Sequence, residues 1–468
     1  MRYSIISLGC PKNLVDTERM AALLSGAGFA MEDDPERADI LLVNTCGFIG
    51  DAREESYDAI EAALQWKSRG LGGSPRKVLV AGCLTQRENE ELPARFPEVD
   101  AWVGVFGRED IARVARRLFE DDGTPPESSP FQTIERPTPE EPSKILHVPE
   151  GSASLTDENR SRLTEQHVAY LKLSEGCNRR CAFCIIPQIR GPQISKPLEQ
   201  VESEARRLAE DGVKELVLIA QDTSAYGIDL AGKPLLWDAI RRIEKIDGIR
   251  WIRLMYLYPQ HMTDALIDLI GRSEKVVPYL DMPLQHINNK VLKRMRRSIT
   301  RERTIEILDR LRQRIDNLIL RTTFLVGFPG ETRGQFDELV QFVANQRFQR
   351  VGVFAFSPEE GTEAADMDHQ IDPQECIRRR DLLMEVQQPI AFDWQRNRVG
   401  TRIPVIVDRY IPEADNAWIG RSYADAPDID GVVYLTGENL RPGQVVSAEI
   451  VDARGYDLIG VVLGESGQ

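Results

Sequence analysis

Cysteine is scarce in this chain, seven in 468 residues, and so few exclude a scaffold built on disulfides. No apolar run is long enough to cross a bilayer. The first residues, MRYSIISLGC, lack the basic region and small-residue cleavage site of a secretory leader. A reduced, cytoplasmic protein is the expectation. Positive charge is also short: 59 basic residues against 74 acidic ones leave a formal charge of −15. That balance argues against broad phosphate-backbone binding as the main activity and favours a basic protein partner.

The cysteine that is present is ordered. Three residues form a tight triad, Cys177, Cys181 and Cys184, in SEGCNRRCAFC. A CxxxCxxC run lets one loop wrap three thiolates around an iron–sulfur cluster, and a four-iron cluster then keeps one iron open for substrate or cofactor. Structural zinc would need a fourth ligand nearby, and the following IIPQIRGPQIS offers no Cys or His. Cys10, Cys46 and Cys83 form a wide triad with steps of 36 and 37 residues. Each closes an apolar run: YSIISLGC, ADILLVNTC and KVLVAGC. A free cysteine at a strand end is often only a small buried hydrophobe. The repetition at three strand ends points instead to a second open cluster. Cys376, in PQECIRRR, stands apart and reads as a bystander.

The chain divides into pieces of different texture. Residues 1–120 alternate short apolar strands with amphipathic helices, the pattern of a parallel α/β sheet. The carboxyl ends of such strands share one edge, so the wide triad should meet there. Residues 121–160 hold seven of the 27 prolines and read as an extended linker, with a short strand around Ile145–Val148. Over 163–393 the alternation returns with six strand candidates: VAYLKLS, ELVLIAQD, WIRLMYLY, YLDMPLQH, LRTTFLVGF and VGVFAFSP. Six β/α units predict a partial barrel of the triosephosphate-isomerase kind, open on one side. Residues 396–462 break into short strands punctuated by Gly, Pro, Asn and Asp, which predicts a small antiparallel β-barrel. From 396 to the end there are seven Arg and no Lys against seven Asp and four Glu, too acidic for a nucleic-acid-reading barrel.

Several polar residues should ring the mouth of the central barrel: Gln221 and Asp222, Gln285 and His286, and the turn GFPGET from Gly327 to Thr332. Gln221 and Asp222 either cap the next helix or hold an ammonium group. The amides around Gly327 and Gly330 suit a carboxylate or phosphate at a helix N-terminus, or simply a strand–helix turn that needs glycine. No GK[ST] follows, so the turn is not a Walker loop. His286 is an acid–base candidate or a structural histidine. Phe183, between the last two cysteines, is either packing or one side of an adenine site.

Together these motifs resemble the radical S-adenosylmethionine methylthiotransferases over nearly the whole chain. Their radical motif is CxxxCxΦC with an aromatic at Φ, here Cys177, Cys181, Phe183 and Cys184. The wide triad is similar to that of the family's N-terminal domain, and the last domain to the small barrel called TRAM. SLGCPKNLVD, NTCGFI, QDTSAYG, DMPLQH and GRSYADAPDIDGVVY resemble the branch that acts on a small-subunit ribosomal protein. Relatives acting on transfer RNA typically carry GCQMN where this chain has GCPKN.

The resemblance implies two [4Fe–4S] clusters, on Cys177/Cys181/Cys184 and on Cys10/Cys46/Cys83. It implies S-adenosylmethionine near Phe183, Gln221, Asp222, Gln285, Gly327 and Gly330. It implies methylthiolation at the β-carbon of an aspartate, with two S-adenosylmethionine consumed, a sulfur donor, and electrons from a flavodoxin-like protein. The same-family rival modifies an adenosine of transfer RNA. A cluster carrier without a substrate and a ribosome-binding module are the rivals of other classes.

Overall fold

In the computed structural model the described residues are 1–69, 76–119, 132–134 (backbone only), 144–151 and 155–463, and they fall into two compact units. Unit 1 comprises residues 1–163 with 174–179 and 184–194; unit 2 comprises 164–173, 180–183 and 195–468.

The central strands of unit 1, Ile40–Thr45, Lys77–Gly82 and Ala101–Gly104, form because β-branched and aliphatic residues fill them and both of their faces are covered. The strands of the unit are β1 (Arg2–Ser7), β2 (Ala30–Met31), β3 (Ile40–Thr45), β4 (Lys77–Gly82), β5 (Ala101–Gly104), β6 (Gln132–Ile134) and β7 (Lys144–His147). The sheet order is β2-β1-β3-β4-β5-β7-β6, parallel except for the β6–β7 pair. Alternate residues serve opposite cores, as strand geometry requires. Ile40, Leu42, Leu79 and Ala81 pack toward Met20 and Leu24 of the helix Pro11–Gly26. Leu41, Val43, Val78 and Val80 pack toward Tyr57, Ile60 and Trp66 of the helix Gly50–Ser68.

The short strand expected around Ile145–Val148 within the linker joins the sheet as Lys144–His147. Lys144–His147 pairs in parallel with β5, because Ile145 alternates into the first of those cores. Farther on, Asp157 is fully buried and pairs with Arg108 at 2.9 Å. Within the proline-rich stretch, residues up to 131, 135–143 and 152–154 lie outside the described residues.

Unit 2 carries the six expected core strands: β8 (Val168–Lys172), β9 (Glu215–Ile219), β10 (Trp251–Leu254), β11 (Val276–Asp281), β12 (Ile319–Val326) and β13 (Arg350–Ala355). All pair in parallel and in chain order, leaving β8 and β13 as the two edges of an open, partial barrel. After the helix Pro373–Arg396 come β14 (Arg402–Tyr410), β15 (Ala417–Ser422), β16 (Val433–Thr436), β17 (Val445–Arg454) and β18 (Asp457–Val462). They close a barrel in the order β14-β15-β16-β18-β17, antiparallel except where β16 meets β18.

Barrel and core strands of unit 2 are joined by buried charge. Glu215, the first residue of β9, accepts from Arg253 Nε and from Arg421 Nη1, each at 2.7 Å. Arg421 also grips Asp408 through two bonds of 2.9 Å, and Asp408 meets His167 at 2.8 Å. Burial alone would push the Glu215 carboxyl up; the guanidiniums of Arg421 and Arg253 outweigh it and hold it below the usual range. These contacts occupy the amino ends of the strands, which leaves the carboxyl ends for chemistry. Among the described residues no helix is long and apolar enough to cross a membrane.

Candidate functional site

β1, β3 and β4 are neighbours in the sheet, so the residues after them share one edge. Thr45 pairs with Gly82, which puts Cys46 and Cys83 one step beyond matched positions. Cys10 caps the helix that follows β1. The approach is close enough to forbid side chains. Gly9 has φ +87°, and a Cβ there would lie 2.9 Å from Cys46 Cβ. A Cβ on Gly47 would lie 2.9 Å from the Cys83 carbonyl. Asn13, the last residue of GCPKN, ties two of the loops together. Its Nδ2 donates to the carbonyls of Leu8 (2.6 Å) and Thr45 (3.2 Å).

The site also includes Arg190, which nothing in the sequence singled out. Its Nη2 and Nε donate to Cys83 Sγ at 3.0 and 3.3 Å. Its Nη1 bridges Asp16 (2.7 Å) and Glu175 (3.1 Å), and Nη2 reaches Asn13 Oδ1 at 3.3 Å. Asp16 is shared with Arg108. Burial works against the Arg190 charge, but Cys83, Glu175 and Asp16 outweigh it and hold the proton firmly. Burial pushes the Cys46 thiol up to about 12, with Cys83 and Cys10 adding to the rise. Burial likewise pushes Cys83 up, opposed by Arg190.

Two of the clustered thiols, Cys46 and Cys83, resist losing their protons and need a cation to do so, which a metal cluster supplies. Among the described residues no three His, Cys, Asp or Glu side chains converge as they would on a single ion. A cuboidal cluster makes a different demand, since its own bulk keeps its thiolates apart. Three free thiols at adjacent strand ends, with a fixed guanidinium beside them to offset anionic charge, fit such a group.

The tight triad lies on a loop whose Cys177 and Cys184 group with unit 1 and whose Cys181 groups with unit 2. In unit 1 the Cys177 amide donates to the Gly191 carbonyl at 3.1 Å. In unit 2 Ala182 is stitched on both sides: its N–H donates to Met295 O (3.1 Å) and its carbonyl accepts from Ala364 (2.8 Å). Arg297 stacks 4.1 Å over the Tyr258 ring, is anchored on the Pro283 carbonyl at 2.6 Å, and lies 3.8 Å from Cys181 Sγ. Phe183 meets Phe328 edge-on, 6.5 Å between centroids. Each stretch of the loop is thus anchored within its own unit.

The expected ring of polar residues at the strand ends divides into two kinds. Asp222 caps the turn Thr223–Ala225, accepting from Ser224 Oγ at 2.6 Å and the Ala225 amide at 3.2 Å, which is the capping alternative. The GFPGET turn is filled from within, as the strand–helix-turn alternative has it. Glu331 takes the amides of Gly327 (2.5 Å) and Phe328 (3.2 Å), and the Gly330 amide goes to His369 O. The following helix is closed by a Thr332–Gln335 capping box. Gly327 is required because a Cβ there would overlap Cys376 Sγ at 2.3 Å, so the lone cysteine is a packing residue. His286 is buried, with Nε2 3.7 Å from Glu331 Oε1 and no hydrogen bond between them. Gln221 stands just after β9, and Gln285 holds φ +70° while its backbone bridges to β12.

Comparison with known proteins decides what this pair of thiol sites belongs to. Residues 2–104 match the family described as "Uncharacterized protein family UPF0004", 171–343 the radical SAM superfamily, and 399–463 the TRAM domain. A protein of Anaeromyxobacter sp. (strain Fw109-5) named ribosomal protein uS12 methylthiotransferase RimO is 44% identical over 99% of this chain and 93% of its own. The chain belongs to the RimO family of radical S-adenosylmethionine methylthiotransferases. RimO proteins of Thermoanaerobacter sp. (strain X514) and Clostridioides difficile (strain 630) are 42% and 40% identical, over 97% and 99% of this chain and 98% and 99% of their own. The chain is therefore a transferase, with the RimO family's two [4Fe–4S] clusters and S-adenosylmethionine as cofactors. In solved structures the fold is similar to the radical S-adenosylmethionine methyltransferase TsrM of Kitasatospora setae. With tryptophan and a cofactor analogue bound, TsrM gives a TM-score of 0.55 at 14% identity, covering 88% of this chain and 79% of its own.

Proposed function

We propose that this enzyme adds a methylthio group to the β-carbon of an aspartate in ribosomal protein uS12, in the cytoplasm, using two S-adenosylmethionine molecules, a sulfur donor and low-potential electrons. The substrate protein is the one in the relatives' names. The observation that carries the reading is the gathering of Cys10, Cys46 and Cys83 at adjacent strand ends beside Arg190, in a chain that also carries the CxxxCxΦC loop.

When bound, the clusters and S-adenosylmethionine supply the radical that takes a hydrogen from an unactivated C–H bond and the sulfur that replaces it. The chain's part is placement. Cys177, Cys181 and Cys184 hold one cluster, and Cys10, Cys46 and Cys83 the other. Phe183, Gln221 and Gln285 border the strand ends where the cofactor lies. Asp222, Gly327 and Gly330 fix the backbone there through their internal bonds. Arg190 offsets charge at Cys83, and Arg297 does so near Cys181. The division of labour follows residues 1–120, 163–393 and 396–462.

The test is anaerobic reconstitution with iron and sulfide, then incubation with S-adenosylmethionine, dithionite and a peptide from the uS12 target loop. Mass spectrometry that finds a methylthio group in place of hydrogen on the aspartate supports the reading. Deoxyadenosine without a modified peptide, together with a methylthiolated adenosine when transfer RNA is supplied, would overturn the substrate assignment.

A further inference from the structure

Residues 290–303 carry seven Lys and Arg and one Glu, a strongly basic run in a chain of net charge −15. The helix Asn289–Arg294 and the turn after it form one wall of an open cleft of about 490 Å³. Lys290, Lys293, Arg294 and Arg296 line it, with Val291 and Met367 at its apolar base. Arg294 pairs with Asp368 and Arg296 with Glu363. Lys290 and Lys293 are exposed and have no ion pair among the described residues.

The position of the cleft makes this charge informative. Val291 and Met367 also belong to the small apolar cluster that contains Ala182 and Phe183. The backbone of Ala182, next to Cys181, is bonded to Met295 on one side and Ala364 on the other. One face of this wall is the basic cleft, and the other is the loop that holds a cluster ligand. Electron transfer weakens steeply with distance, so a donor seated here would lie near that ligand.

We propose that this cleft docks an acidic one-electron donor protein that reduces the cluster held by Cys177, Cys181 and Cys184. The inference rests on the radical reading above. In the step the donor protein is oxidised by one electron and the cluster is reduced by one, with no bond made or broken. Charge complementarity of this kind steers weak, transient encounters, which suits a donor that must leave after delivery. A long polyanion such as ribosomal RNA is the poorer occupant, because beyond the patch it would run into the acidity of the rest of the chain.

The test uses the reconstituted full-length enzyme, its Lys290→Glu/Lys293→Glu variant and a purified bacterial flavodoxin. The variant should bind flavodoxin about tenfold more weakly and make deoxyadenosine about tenfold more slowly with reduced flavodoxin, at an unchanged rate with dithionite. Binding to the wild type should weaken as salt rises. A Lys290→Gln/Lys293→Gln variant should fall between the two, and it serves if the reversed charges impair folding. Unchanged flavodoxin binding in a folded variant overturns the proposal. So does a variant that keeps flavodoxin coupling but no longer binds small ribosomal subunits, which would assign the cleft to RNA. Binding is read without turnover: a wild type that binds flavodoxin through these lysines yet cleaves no cofactor refutes the radical reading and not the docking site.

Discussion

Arg190 donates to Cys83 Sγ through two nitrogens, at 3.0 and 3.3 Å, across 107 positions of sequence. The same guanidinium pairs with Asp16 and Glu175, so one side chain serves as both structural counter-ion and neighbour of a thiol of the wide triad.

Replacing Arg190 by Met should therefore have two effects. Two buried carboxylates lose a partner, which costs about 3–5 kcal/mol of stability. Iron binding at the wide triad should weaken by about 10–100-fold, as when a group that orients a metal ligand is removed. Iron content and electron paramagnetic resonance would show loss of one cluster signal with the other retained. Full iron content in the variant would refute the role given to Arg190.

The two triads should separate genetically. Cys181→Ala should abolish cleavage of S-adenosylmethionine to deoxyadenosine. Cys46→Ala should spare cleavage but stop sulfur insertion. Methylthiolated product from the Cys46 variant would remove the second cluster from the wide triad.

Gly9→Ala should damage the wide triad without touching a thiol. The new methyl meets Cys46 Cβ at 2.9 Å from a backbone held at φ +87°. A loss of about 1–3 kcal/mol is expected, with lower iron retention. Thermal melting and iron analysis measure the two effects.

Arg421→Met should strand Glu215 and Asp408 in a buried setting and cost about 3–5 kcal/mol. The folded Glu215 carboxyl is held below its unfolded value of about 4.3. Its contribution is complete above that pH and is lost as pH falls through the lower folded value. Denaturation from pH 7 downward should show the wild type losing stability below about pH 4.3, and more steeply than the variant.

Much of this architecture is legible in the sequence. The runs ILLVNT and KVLVAG could only be strands covered on both faces, and their order along one sheet edge brings Cys46 and Cys83 together. The six core strands follow from the same logic. Arg190 was not legible, because a single Arg in IIPQIR carries no pattern and its partners lie far away in sequence. GFPGET was ambiguous for a different reason. A glycine-rich turn reads the same whether its amides hold a ligand or, as here, the carboxylate of Glu331 three and four residues on. The short strand around Ile145 was legible among the prolines from its apolar run, but its parallel pairing with β5 was not, because no local pattern names a strand's partner.

The shared grip of Arg253 and Arg421 on Glu215 has a consequence for engineering. A chimaera that exchanged the terminal barrel for one from a transfer-RNA-modifying relative would keep Glu215 and Arg253 while discarding Arg421 and Asp408. Such a graft would inherit a half-made lock at the foot of the core strands. The terminal barrel of this enzyme is therefore not a detachable module, and exchanging it means redesigning both sides of that seam at once.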